Sequence, residues 1–148
     1  MSELSEQIHA TCITIDGNGV LICGASGSGK SDLALRLIDG GAELVSDDRV
    51  NLSSDDGLVA MPPETIAGLL EVRGVGILRL EYCDKSPVRL VVDLQEIDTI
   101  ERLPAPESKL ILGHAIPRLK LFAFESSAPA KVRLALKLAN GDIIGVDD

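Results

Sequence analysis

Gly24-Ala25-Ser26-Gly27-Ser28-Gly29-Lys30-Ser31 is the stretch on which the fold turns. It satisfies G-x-x-x-x-G-K-[ST] at every required position. Before it, residues 20–23 are an apolar run suited to a short buried strand. After it, Leu33, Ala34, Leu37 and Ile38 recur at helical spacing until Gly40-Gly41 supplies a stop. Strand, loop and helix in that order aim successive backbone N–H groups and the positive helix end at one point, which makes a cradle for phosphate oxygens. The three glycines relieve the steric cost of the curled backbone. Lys30 is expected against the β- and γ-phosphates and the Ser31 hydroxyl on Mg²⁺, so the octet predicts binding of a purine nucleoside triphosphate with its metal. What receives the phosphoryl group is not specified by the loop.

Working outward, residues 8–15 alternate apolar and polar side chains, which predicts one strand running into a tight turn at Asp16-Gly17-Asn18-Gly19. Residues 42–45 read as the next buried strand, with Ser46-Asp47-Asp48 at its carboxyl end, the edge where open α/β sheets place ligands. Residues 50–52 and 58–61 form a hairpin pattern, Pro62-Pro63 punctuates it, and a helical turn follows around Thr65. Residues 69–80 read as an apolar strand region carrying Glu71 and Arg73, and residues 88–94 as a Val/Leu-rich strand with Asp93 near its end. A brief helix is expected over residues 98–103, and extended chain over residues 110–112 and 115–124. Val132, Leu134, Leu136 and Leu138 alternate, so residues 130–138 are ambiguous; helix is the preferred assignment. No repeat, low-complexity tract or linker interrupts the chain, and Asp147-Asp148 is expected to fray.

The 148 residues allow one domain with one sizeable core. Aromatic residues are 2% of a chain that is 45% hydrophobic, so aliphatic side chains must fill the interior, which favours strands and helices stacked in an α/β fold. A net charge of −9 opposes docking on nucleic acid or an anionic membrane. The first seven residues carry acidic and hydroxyl side chains where a secretory signal needs basic ones before an apolar run, so a cytoplasmic address is expected. Cys12, Cys23 and Cys83 form no C-x-x-C pair and are odd in number, which predicts buried free thiols and no zinc.

A nucleotide-dependent kinase needs an acid near the metal and a base for the acceptor hydroxyl. Asp47, Asp48 and Glu71 are the candidates. A solvated turn or helix cap accounts for Asp47-Asp48 as well as catalysis does. Glu71 on an apolar strand is more unusual, because a buried lone carboxylate is costly. Arg73, two residues on, would share its face and could pair with it without any function.

These residues resemble the catalytic domain of HPr kinase/phosphorylase. Ile8-His9-Ala10 is similar to the family's Ile-His-Gly, the glycine loop to its Walker loop, and Val45-Ser46-Asp47-Asp48-Arg49-Val50 to its Val-Ala-Asp-Asp-x-Val. Glu71-Val72-Arg73-Gly74-Val75-Gly76-Ile77 resembles Glu-Ile-Arg-Gly-Leu-Gly-Ile, Glu101-Arg102-Leu103 resembles Asp-Arg-Leu, and Leu112-Gly113-His114-Ala115-Ile116-Pro117 resembles Leu-Gly-Val-Glu-Ile-Pro. The resemblance implies a P-loop kinase fold of the HPr kinase and phosphoenolpyruvate carboxykinase type, a mixed sheet with flanking helices. It implies ATP and Mg²⁺ as cofactors and an HPr-like phosphocarrier as partner and serine substrate. By resemblance Asp47 is the general base, Ser31 and Glu71 hold Mg²⁺, Lys30, His9 and Arg102 surround the transferring phosphoryl group, and Asp48 and Arg73 support them. Taken alone, His9 is a strand histidine satisfied by a neighbour and Arg102 a surface arginine; His114, Tyr82 and Phe122 are structural.

Three departures from the family are legible. The N-terminal regulatory domain and the C-terminal helices are expected to be missing, which leaves homo-oligomerisation open. The segment between Leu80 and Val88 is short. The family's Pro-Val-Arg-Pro-Gly-Arg-Asn loop is replaced by Phe122-Ala123-Phe124-Glu125-Ser126-Ser127-Ala128-Pro129-Ala130-Lys131, which argues against the reverse, phosphorylase, reaction because Lys131 cannot reproduce two bidentate arginines. Two other classes stand beside the kinase: a non-catalytic ATP-sensing module that binds a protein partner, and a small-molecule kinase or carboxykinase relative.

Overall fold

The computed structural model describes residues 4–146. Strands β1 (Leu4–His9), β2 (Thr11–Ile15) and β3 (Asn18–Cys23) lead through the glycine loop into α1 (Lys30–Asp39). Strands β4 (Glu43–Ser46), β5 (Arg49–Ser54) and β6 (Leu58–Met61) follow, then a short hairpin of β7 (Leu69–Val72) and β8 (Gly76–Arg79). The long β9 (Ser86–Leu94), β10 (Glu107–Ile111), β11 (His114–Leu121) and α2 (Ala128–Ala139) complete the chain. Single 3-10 turns lie at Glu64–Ile66 and Ile97–Thr99.

Nine strands form one mixed sheet in the order β1-β5-β6-β9-β3-β2-β4, with β11 attached to β9 and β10 to β11. Two contacts are parallel, β3 with β9 and β9 with β11, so the carboxyl ends of these three strands point the same way. The loop after β3 is the glycine octet. Side chains alternate across the sheet. Ile13, Val20, Ile22, Val92 and Leu121 face one side, where Leu33, Ala34 and Leu37 of α1 and Ala128, Val132 and Leu136 of α2 cover them. Cys12, Leu21 and Val91 face the other, against Val50, Leu52, Ala60, Ile111 and Ile116. Each fully buried leucine or isoleucine contributes about 1.5–3 kcal/mol, and these two layers anchor the strands that carry the site. This is the mixed sheet with flanking helices that the resemblance implies.

Several local expectations are corrected. The alternation over residues 8–15 belongs to two strands. Ala10 N–H turns aside to the Asp48 carbonyl at 3.2 Å, and the chain passes from pairing with β5 to pairing with β3 and β4. The helix over residues 98–103 shrinks to the turn at Ile97–Thr99, leaving Arg102 in an exposed bend. Extended structure ends at Leu121 and does not reach Phe124. The ambiguous segment is helical, as α2, with Pro129 in its first turn, where a missing N–H is tolerated. The thiols are free, but only Cys12 is fully buried. Asp147 and Asp148 lie outside the described residues. Among the described residues no helix is long and apolar enough to cross a membrane.

Candidate functional site

The glycine loop leaves the carboxyl end of β3, between β9 and β2 in the sheet, and closes on the N-terminus of α1. Gly27 and Gly29 take φ of +82° and +101°, conformations that other residues rarely adopt. At Gly29 the absence of a side chain also matters sterically: a Cβ there would lie 2.9 Å from Ala123 Cβ and from Phe124 Cζ. Lys30 folds back over the loop and donates from Nζ to the carbonyls of Gly24 at 2.8 Å and Ala25 at 3.1 Å. Among the described residues Ser28 Oγ is the one enclosed side-chain oxygen or nitrogen without a partner.

Beside the loop, β4 ends in a tight turn. Arg49 N–H donates to the Asp47 carbonyl at 2.8 Å across Asp48, whose φ is +70°, and Ser46 Oγ donates to the Arg49 carbonyl at 2.5 Å. A three-residue turn of this kind is strained and persists only where surroundings hold it. It sends the two aspartates in different directions. Asp48 is exposed, 4.0 Å from Arg49. Asp47 is only 7% exposed, not in a solvated turn, and its Oδ1 accepts from Ser31 Oγ at 2.7 Å and Thr11 Oγ1 at 2.9 Å. The β2–β4 register sets Cys12 opposite Ser46, which brings Thr11 alongside Asp47. Asp47 Oδ2 has no hydrogen-bond partner among the described residues and is not among their fully enclosed orphan atoms. Two donors on one oxygen orient the carboxylate and leave the other oxygen free.

A cavity of about 360 Å³ opens here. Thr11, Ser26, Gly27, Gly29, Lys30, Ser31 and Asp48 line it, with Asp32 and Leu35 of α1, Glu71, Val72 and Arg73 of the β7–β8 hairpin, and Phe124. The structure therefore gathers most of the glycine loop, Lys30, Ser31, Asp48, Glu71 and Arg73 around one space; Asp47 does not line it but lies behind Ser31 and Thr11, which do. His9, at the exposed end of β1, and Arg102 do not line it. The Glu71–Arg73 pairing that the sequence allows does not form among the described residues. Glu71 is exposed, Arg73 sits in the hairpin turn and not on the strand face, and neither forms an ion pair among the described residues. Thr11 and Phe124 were not legible as cavity residues: Thr11 is an ordinary strand residue, and Phe124 lies where extended chain was expected.

Asp93 is a tempting acid, since β9 runs parallel to β3 and places it beside Cys23. It is engaged elsewhere, by Arg118 and by Lys109 at 3.8 Å. Burial pushes the Cys23 thiol up, offset in part by Lys109, and burial pushes the enclosed Cys12 thiol up further. Neither is set up as a nucleophile.

The residues fit a nucleotide with Mg²⁺. The loop offers an enclosed hydroxyl without a partner at Ser28, a lysine whose present acceptors are loop carbonyls, and the first-turn N–H groups of a ten-residue helix. Among the described residues no three His, Cys, Asp or Glu side chains converge as a metal cage. Mg²⁺ on phosphates needs none, because it takes one or two protein ligands with phosphate oxygens and water. Ser31 Oγ, donating its proton to Asp47, keeps lone pairs for such an ion, and Glu71 stands in the same cavity.

Fold and cavity define a P-loop α/β domain with a mixed sheet and flanking helices. Residues 2–132 match the family model for the HPr serine kinase C-terminal domain, and the chain belongs to that family. It is 38% identical to HPr kinase/phosphorylase of Streptococcus pneumoniae strain Hungary19A-6, and equally to that of strain ATCC BAA-255 / R6, over 81% of this chain and 43% of the relative. The chain thus spans less than half the length of these curated relatives. Its fold is similar to the solved structure of the Hpr(Ser) kinase/phosphatase from Coxiella burnetii, with a TM-score of 0.77 and 27% identity over 93% of this chain and 90% of that one.

Proposed function

We propose that this domain is an ATP-dependent protein serine kinase acting in the cytoplasm on an HPr-like phosphocarrier. Family membership supports the class of reaction. The observation that carries the mechanism is the carboxylate of Asp47, hydrogen-bonded to the phosphate loop's own Ser31 with one oxygen left free. A base so placed can meet a hydroxyl approaching the outermost phosphate.

Lys30 exchanges its two loop carbonyls for phosphate oxygens as the nucleotide enters, and the amides from Gly24 to Ser31 bind the polyphosphate. Ser31 and Glu71 would hold Mg²⁺, which would supply positive charge at the phosphates. The carrier's serine oxygen attacks the γ-phosphorus, its proton passes to Asp47 Oδ2, the bond from that phosphorus to the bridging oxygen breaks, and ADP keeps the electron pair. Asp48 and Arg73, which line the same cavity, support these groups. His9 and Arg102 are proposed to turn toward the transferring group when the carrier docks. Phosphorolysis of phosphoserine is proposed to be lost, since Lys131 is already paired with Glu125 at 2.6 Å.

Incubation with ATP, Mg²⁺ and an HPr-type carrier, followed by mass spectrometry, should yield one phosphoserine on the carrier. A folded protein that binds ATP yet phosphorylates no such carrier would contradict the kinase and favour the ATP-sensing module.

A further inference from the structure

The cavity lining is polar at Ser26, Lys30, Ser31 and the carboxylates and apolar at Leu35 and Phe124, whose ring lies close to Gly29 of the loop. Phe124 is 56% exposed, an unfavourable setting for a phenyl ring unless something covers it. Its position is held from several sides. Arg36 of α1 donates to the carbonyls on either side of it, Ala123 and Glu125, the latter at 3.3 Å, and is itself anchored to Asp32. The side-chain-free Gly29 lets the ring reach the glycine loop, and Phe122 meets it in a T-shaped contact at 5.7 Å. The segment follows β11, which runs parallel to β9 and β3, so it emerges at the same sheet end as the phosphate loop, where α/β proteins bind nucleotides.

We propose that Phe124 is the platform on which the nucleobase of the bound nucleotide stacks. This rests on the nucleotide-binding role proposed above and adds the recognition of the base to it. A polyphosphate held at the α1 N-terminus must carry its ribose and base along the cavity wall, and an exposed aromatic face locked beside the loop is the surface that a π-face would cover. Stacking of this kind tolerates any base, so the platform supplies affinity for a nucleoside over bare polyphosphate and not choice among bases.

The chain has no tryptophan, so Phe124→Trp introduces a single indole reporter. ATP is expected to quench its emission, while inorganic tripolyphosphate, which carries the phosphates without the base, binds by calorimetry with little quenching. In parallel, Phe124→Ala and the bulk-preserving Phe124→Leu should each weaken ATP binding about tenfold and leave tripolyphosphate affinity unchanged. Unchanged ATP affinity in both variants, or equal quenching by tripolyphosphate, overturns the platform while the phosphate cradle stands. If the folded, unsubstituted protein binds neither ligand, the nucleotide-binding role falls and the platform with it.

Discussion

Asp47 is shaped by two hydroxyls from different parts of the chain. Ser31 comes from the phosphate loop itself; Thr11 reaches Asp47 across 36 residues of sequence because β2 and β4 are neighbours. A hydrogen bond to a charged group contributes about 1.5–3 kcal/mol, and when that bond holds a base in line its loss falls on turnover. Thr11→Val keeps the shape and removes the donor. It is expected to lower the rate of carrier phosphorylation about ten- to one-hundredfold with ATP affinity unchanged, and Thr11→Ser is expected to restore most of it. Parallel loss of ATP binding in Thr11→Val would mean that Thr11 only stabilises the fold. The glycine octet was legible because its chemistry is local: positive φ at fixed offsets and a lysine and serine at the helix start. Thr11 was not, because a threonine in a strand becomes a site residue only through the register of another strand. Glu71 stands in the cavity, while Arg73, which could have paired with it on a strand face, lies in the hairpin turn.

Elements were legible where periodicity and breakers agreed. β3, α1, the β5–β6 hairpin and β9 fall close to their expected positions. The division between β1 and β2 escaped because alternation continues through Ala10 while the pairing partner changes, and period alone carries no information about partners. The segment at residues 122–127 escaped for a related reason. Its conformation is dictated by Arg36, whose guanidinium gathers two of its carbonyls from a helix nearly ninety residues earlier in the chain. That clamp predicts a local effect. Arg36→Met should reduce stability by about 1–3 kcal/mol in urea titration, and amide exchange should accelerate in residues 122–127 while β3 stays protected. Unaltered exchange in that segment would show that the clamp does not hold it.

For the whole molecule, the aliphatic composition and the strand–loop–helix order made the α/β class readable, while the order of nine strands in one sheet and the two apolar layers on its faces depend on contacts far apart in sequence. The buried thiols give a global, pH-linked signature. Burial raises the Cys12 thiol above its ordinary value of 9.0, so the folded chain keeps that proton when the unfolded chain releases it. The thiol's contribution is complete below about pH 9 and declines as pH rises beyond it, by up to about 1.4 kcal/mol per pH unit. Between pH 8.5 and 10 the urea midpoint should therefore fall more steeply for the unsubstituted protein than for Cys12→Ala; equal slopes would show that Cys12 is not sealed in the folded state.

The central claim is that a carboxylate fastened to the phosphate loop takes the proton of a carrier serine. Single-turnover transfer from γ-labelled ATP to an HPr-type carrier, measured for Asp47→Asn alongside ATP affinity, tests it most directly. Transfer should fall about 10²–10⁴-fold while ATP still binds; transfer at the unsubstituted rate would contradict the account.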